Sequence, residues 1–124
     1  MFMKSVAVAL FLVFASSPAF AYSDEIEWLR NQSFNSCKKF YVWRLIDNYF
    51  KNPRWESGWS DQGDYIVNVH GKMQYDGQNV NALLQFTIDP KQGKFNLSGL
   101  AFNGKPQSKD MRVALIETMC EDLQ

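Results

Sequence analysis

Only two cysteines and one histidine occur among the 124 residues, and their scarcity removes several kinds of chemistry. A zinc site of cysteine and histidine takes four ligands, more than this chain owns, although carboxylates could contribute. The lone imidazole, His70, has no Ser-His-acid spacing or nucleophile elbow around it. No glycine-rich phosphate cradle and no calcium-loop spacing is present, and no cofactor is implied. An excess of one charge is missing too, because 13 basic residues face 13 acidic ones. Nucleic acid and anionic membrane surfaces attract proteins through surplus positive charge, so neither is an expected nonspecific partner. Lys38, Lys39, Arg44, Lys51 and Arg54 form a local basic run, which reads as the solvated face of a helix.

Long apolar runs are lacking except near the start. Lys4 precedes Val6 to Phe14, Ser16-Ser17-Pro18 breaks the run, and Ala19-Phe20-Ala21 follows. A charged head, an apolar middle and an A-x-A ending are what a signal peptidase reads. The run is shorter than the roughly 20 residues a membrane span needs. The expectation is therefore a signal peptide over 1–21 and a single domain over 22–124. That domain would be periplasmic or secreted, with no transmembrane segment after signal removal.

In an oxidising compartment an isolated cysteine pair reads as a disulfide, here Cys37–Cys120. Closing so long a loop contributes roughly 4–5 kcal/mol in the chain-entropy account. That is comparable to the whole net stability of a small domain.

Hydrophobic periodicity outlines the elements. Ser23 is an N-cap candidate for a short helical segment through Leu29, with Asp24 and Glu25 at its positive end. Asn31-Gln32-Ser33 weakens helix propensity. A longer helix is expected from about Phe34 to Phe50, with Phe34, Cys37, Tyr41, Leu45 and Tyr49 at helical spacing and Asn52-Pro53 ending it. Residues 53–64 read as a polar loop.

The period then becomes two. Tyr65, Val67, Val69, Gly71 and Met73 alternate with polar residues, and so do Val80, Ala82, Leu84, Phe86 and Ile88. Asp76-Gly77 signals the hairpin between these strands. A third strand runs from Phe95 to Phe102, Asn103-Gly104 closes it, and Ser108 caps a last helix. The predicted fold is α+β, a helix, a three-stranded antiparallel meander and a helix in two layers, with the disulfide joining the two helices.

Register follows from the turns. A two-residue loop at Asp76-Gly77 places Met73 opposite Val80, Val69 opposite Leu84 and Val67 opposite Phe86, inward against inward. Ile88 opposite Phe95 puts Phe86 against Leu97. Beyond that point two registers are open. Without a bulge Leu83, Leu100 and Phe102 share the outer face, whereas a bulge at Gly99 turns Leu100 and Phe102 inward. Alternation through Ala101 works unbulged, and that register is the expectation.

Tyr49-Phe50-Lys51-Asn52-Pro53-Arg54-Trp55 and Val67-Asn68-Val69-His70-Gly71 resemble a recurring module of exported bacterial proteins with no assigned activity. So do Gln85-Phe86-Thr87-Ile88-Asp89, Gly93-Lys94-Phe95 and Asn103-Gly104-Lys105-Pro106-Gln107. The likeness extends from about Phe40 to Leu123. It implies one compact domain and transfers no catalytic residue.

Binding candidates are easier to find than catalytic ones. Trp55 and Trp59 lie four apart, and a tryptophan in a polar loop anchors a partner, stacks on a sugar or folds over the core. The outer sheet face would carry His70 and Lys72, with Leu83, Leu100 and Phe102 as an apolar patch for docking. Asp61 and Asp64 could serve as a carboxylate pair on glycan, though Asp-Gln-Gly-Asp also reads as turn chemistry. The functional expectation is a non-catalytic exported module that binds a protein or cell-envelope component. An inhibitor of a secreted hydrolase, or a small envelope-glycan hydrolase, are the alternatives.

Overall fold

A computed structural model describes residues 22–124, and the expected leader over 1–21 lies outside the described residues. Helix α1, Asp24–Arg30, begins where the Ser23 hydroxyl accepts the Ile26 N–H. Helix α2 is short, Val42–Tyr49, and buries Val42, Leu45 and Ile46 at i, i+3 and i+4. Strands β1 (Lys51–Trp59), β2 (Tyr65–Tyr75), β3 (Gln78–Asp89), β4 (Lys94–Phe102) and β5 (Lys105–Pro106) follow. Helix α3, Lys109–Leu123, closes the order with Ser108 as N-cap. The sheet is antiparallel with its strands in chain order, β1-β2-β3-β4-β5.

This corrects the predicted three-stranded meander between two helices. The expected helix over 34–50 does not exist as one element. Phe34 to Cys37 is a tight turn, closed by the Cys37 N–H on the Phe34 carbonyl at 3.0 Å. Ser33 Oγ donates to the Phe40 carbonyl, and the Val42 N–H donates to the Gln32 carbonyl at 2.7 Å, tying off the excursion. Asn31, Ser33, Asn35 and Ser36 favour such local bonds over a helical ladder. The basic run is likewise no single helix face: Lys38 and Lys39 lie in this turn region, Arg44 on α2, and Lys51 and Arg54 on β1. The disulfide is real, but it joins this turn to α3, Cys37 to Cys120 with Cα atoms 6.0 Å apart.

Residues 53–59, expected as part of a polar loop, belong to the edge strand β1. Trp55 faces in opposite Val69, and Trp59 pairs with Tyr65. Asn52 adopts φ 53° and the pairing slips between Lys51 and Arg54, so Pro53 sits at an irregularity on an edge, where its missing N–H breaks no ladder. At the far edge Asn103 and Gly104 both take positive φ, 50° and 80°. They make a two-residue hairpin that adds β5, with Phe102 opposite Lys105.

The β2–β3 register pairs Met73 with Val80, Val69 with Leu84 and Val67 with Phe86 across the Asp76-Gly77 turn. The β3–β4 pairing contains the bulge that the unbulged expectation rejected. Phe86 opposes Leu97 and Gln85 opposes Gly99, leaving Ser98 as the extra residue. Leu100 and Phe102 therefore point into the core, each 5% exposed. Burying a Leu and a Phe is worth about 1.5–3 kcal/mol each. One disturbed ladder bond costs about 0.5–1.5 kcal/mol, and Ser98 Oγ recovers some of it by donating to the Gln85 carbonyl. The core wins, and the strand bends.

The three α-helices among the described residues cover the same sheet face. Ile26 and Leu29 of α1, Leu45 and Ile46 of α2, and Leu115 and Met119 of α3 join one buried cluster with Val67, Val69, Leu84 and Phe86. No helix among the described residues is long and apolar enough to cross a membrane.

Candidate functional site

Among the described residues, two concavities beside the sheet collect residues that the sequence singled out. The larger is an open groove of about 1330 Å³ at the end of the sheet where β1 stops and β2 starts. Its walls are the Phe34–Cys37 turn, the turn after β1 and the turn between β3 and β4. Trp59 occupies the last rung of the β1–β2 ladder. Past it the Ser60 N–H donates to the Asp64 carbonyl at 2.8 Å, and Ser60 Oγ accepts from the Gln62 and Asp64 N–H groups. That closed turn brings Asp64 to the groove but leaves Asp61 off its lining.

The Trp59 indole is 73% exposed, the most open large apolar side chain among the described residues. Its ring meets the Tyr65 ring at 88° with centroids 4.9 Å apart, which holds the indole at the mouth of the groove. The Tyr65 hydroxyl donates to Glu25 Oε1 at 3.3 Å and lies 3.3 Å from Ser57 Oγ. Deeper in, Phe34 and Phe95 pack 5.5 Å apart and supply an apolar floor. Gln32, Asn35, Ser36 and Asn96 add neutral hydrogen-bonding groups.

Three carboxylates line the groove: Glu25, Asp64 and Asp89. Glu25 receives the Tyr65 hydroxyl, and Asp89 caps the short 3-10 turn by accepting the Gln92 N–H at 3.3 Å. Both are thereby committed to holding structure. Hydrolysis by a carboxylate pair needs two free groups across the scissile bond, and the Asp61–Asp64 pairing is not assembled in the groove. Among the described residues no group of three or more His, Cys, Asp or Glu is placed to hold a metal ion.

The smaller concavity, about 460 Å³, opens on the sheet face away from the helices. His70, Lys72 and Leu83 meet there with Arg54. Arg54 stands directly opposite His70 on β1, a relationship hidden while 53–64 read as loop. Glu56, two residues on from Arg54, places Oε2 2.6 Å from His70 Nε2.

Trp55, Leu100 and Phe102 belong to neither site. Trp55 is 8% exposed, with the Arg30 guanidinium 4.9 Å from its ring centroid and Tyr22 edge-on at 6.3 Å. Arg30 also stacks on Tyr22 at 4.5 Å and pairs with Glu27 and Asp47, so the cluster clamps α1 onto β1. No sequence pattern marks Tyr65 or the Gln32–Ser36 wall as site residues. The alternation Pro53, Trp55, Ser57, Trp59 was the available signal for β1, and through it for Arg54.

Comparison with family models, with curated proteins and with solved structures finds no match to this chain, so none of them bears on the resemblance to an exported bacterial module.

Proposed function

We propose that this chain is a non-catalytic exported module that binds a glycan of the cell envelope along the Trp59 groove. The open indole of Trp59 at the groove mouth carries the reading. Sugar rings present C–H faces that stack on an indole, and hydroxyls that pair with amides and carboxylates. Gln32, Asn35, Asn96 and Asp64 supply those partners beside the aromatic floor. The groove sets three carboxylates against two lysines, Lys91 and Lys94, and so lacks the positive excess that a phosphate backbone needs. The disulfide and the lack of a membrane-spanning helix among the described residues are compatible with an exported location. The proposal is tested by titrating the protein with chitotetraose while following tryptophan fluorescence. Saturable change that Trp59→Ala abolishes, with no cleavage of the oligosaccharide, is the expected result. Absence of saturation overturns glycan binding, and cleavage that Asp64→Asn removes would make the protein a hydrolase.

A further inference from the structure

We propose that the concavity on the open sheet face is a binding site for a phosphate group carried on a small organic body, separate from the Trp59 groove. The first observation is electrostatic. Cross-strand neighbours in a sheet normally pair opposite charges, because like charges directly opposite are destabilising. Here Lys51 faces Lys72, a rung of two cations, and on the same pair of strands Arg54 faces the His70 imidazole. The chain as a whole is balanced at 13 basic and 13 acidic residues, so this cluster is a local arrangement and not the spill of a basic protein. A sheet that breaks its own pairing rule at one place gives up stability there, and functional sites are where such breaches gather.

The second observation is the lack of internal neutralisation. Among the described residues neither Arg54 nor Lys72 has an ion-pair partner within 4.0 Å; only His70 does, through Glu56 at 2.6 Å. No carboxylate lines the concavity itself. Two unpaired cations and an imidazole therefore converge on one hollow, with Asn81 beside Lys72 on the next strand.

The third observation is shape. A guanidinium offers paired donors to two oxygens of one phosphate, and an ammonium adds a point charge. Leu83 and Ala101, directly opposite each other on β3 and β4, give the hollow an uncharged floor. Its roughly 460 Å³ lies within the range of small-ligand pockets. The arrangement suits a phosphate against Arg54, His70 and Lys72, and a compact organic portion over Leu83 and Ala101. Glycerol phosphate has that chemistry, whether free or as the headgroup of an anionic phospholipid. The absence of surplus charge elsewhere means that attraction must come from this site and not from the general field.

The test is a nuclear magnetic resonance titration of the exported protein with glycerol 3-phosphate, and in parallel with phosphatidylcholine vesicles with and without phosphatidylglycerol. Saturable shifts confined to the amides around Arg54, His70, Lys72, Asn81 and Ala101 are expected. Arg54→Ala with Lys72→Ala should weaken binding at least about tenfold, the loss of charge-assisted bonds, while leaving the remaining spectrum dispersed. The exchange Arg54→Lys with Lys72→Arg should retain most of the affinity. Binding to glycerol phosphate alone identifies a soluble ligand, and added binding to phosphatidylglycerol vesicles identifies the headgroup. Three outcomes overturn the proposal: no saturable shift with either probe, shifts centred on the Trp59 groove, or undiminished binding by the double alanine variant.

Discussion

Gly71 lies directly beneath Phe50: a methyl group on residue 71 would stand 2.8 Å from the Phe50 Cβ and 3.1 Å from the first ring carbon. Phe50 is the residue where α2 ends and the chain turns into β1, and it is 4% exposed. Only a residue without Cβ lets that crossing sit so close to the sheet. Gly71→Ala should therefore cost about 1–3 kcal/mol through overpacking, measured by urea denaturation. Gly58→Ala, where the added methyl meets nothing within 4 Å, is the control. Equal stability of the two variants would mean that α2 can lift off the sheet without penalty.

The bulge makes its own forecast. Leu100→Asp should place a charge in the core and leave the domain unfolded or destabilised by more than about 4 kcal/mol. Ala101→Asp, one residue along and facing outward, should cost less than about 1 kcal/mol. Circular dichroism melts compare them. A mild Leu100→Asp would require the unbulged register.

Arg30 joins α1 to the rest through aromatic faces. Its guanidinium stacks on Tyr22 and Trp55 and reaches Trp43 at 5.9 Å, and its side chain is only 14% exposed. Lysine keeps the charge but loses the planar stack. Arg30→Lys should lose about 1–2 kcal/mol, and a loss under about 0.5 kcal/mol would reduce the stack to mere adjacency.

Tyr49 sets an alkaline limit. Burial, and then the Asp122 carboxylate, raise its phenol above the ordinary value of 10.0. The unfolded chain thus ionises first as pH rises. Stability from this group is intact below about pH 10 and falls as pH climbs toward the folded value. Tyr49→Phe should flatten the decline in melting temperature above pH 10, whereas an unchanged slope would assign the decline to other groups.

Reduction of Cys37–Cys120 should lower the melting temperature by more than about 15 °C, from roughly 4–5 kcal/mol of loop entropy. Scanning calorimetry with and without dithiothreitol measures it. A shift of a few degrees would show that the turn holds its place without the link.

How far the residues revealed the fold depended on how many of them bury. β2 and β3 each set four or more residues inward, so their alternation and the Asp76-Gly77 turn were readable down to the rung. β1 buries Trp55 alone, and one inward residue does not make a pattern. Phe34 and Cys37 mimicked a helical stripe because a turn also brings i and i+3 to one side. What buries them is an aromatic stack on Phe86 and Phe95 and a bond to α3. Asn103-Gly104 carried a full hairpin signal, but the strand after it is only Lys105–Pro106. Of the site residues, Trp59, His70, Lys72 and Leu83 were legible because strand alternation or loop polarity exposed them. Arg54 and Tyr65 became site residues only once β1 lay beside β2, a contact between segments that no local pattern encodes.

The bridge spans 83 positions of sequence, and every strand of the sheet lies between its two ends. The turn at Asp61–Gly63 projects exposed from that enclosed stretch and is a natural place for a protease to cut. A nick there would leave two fragments that still migrate as one under non-reducing conditions, with both halves of the sheet tethered through the same pair of sulfurs. The protein can thus lose the continuity of its backbone in a protease-rich surrounding without shedding either piece.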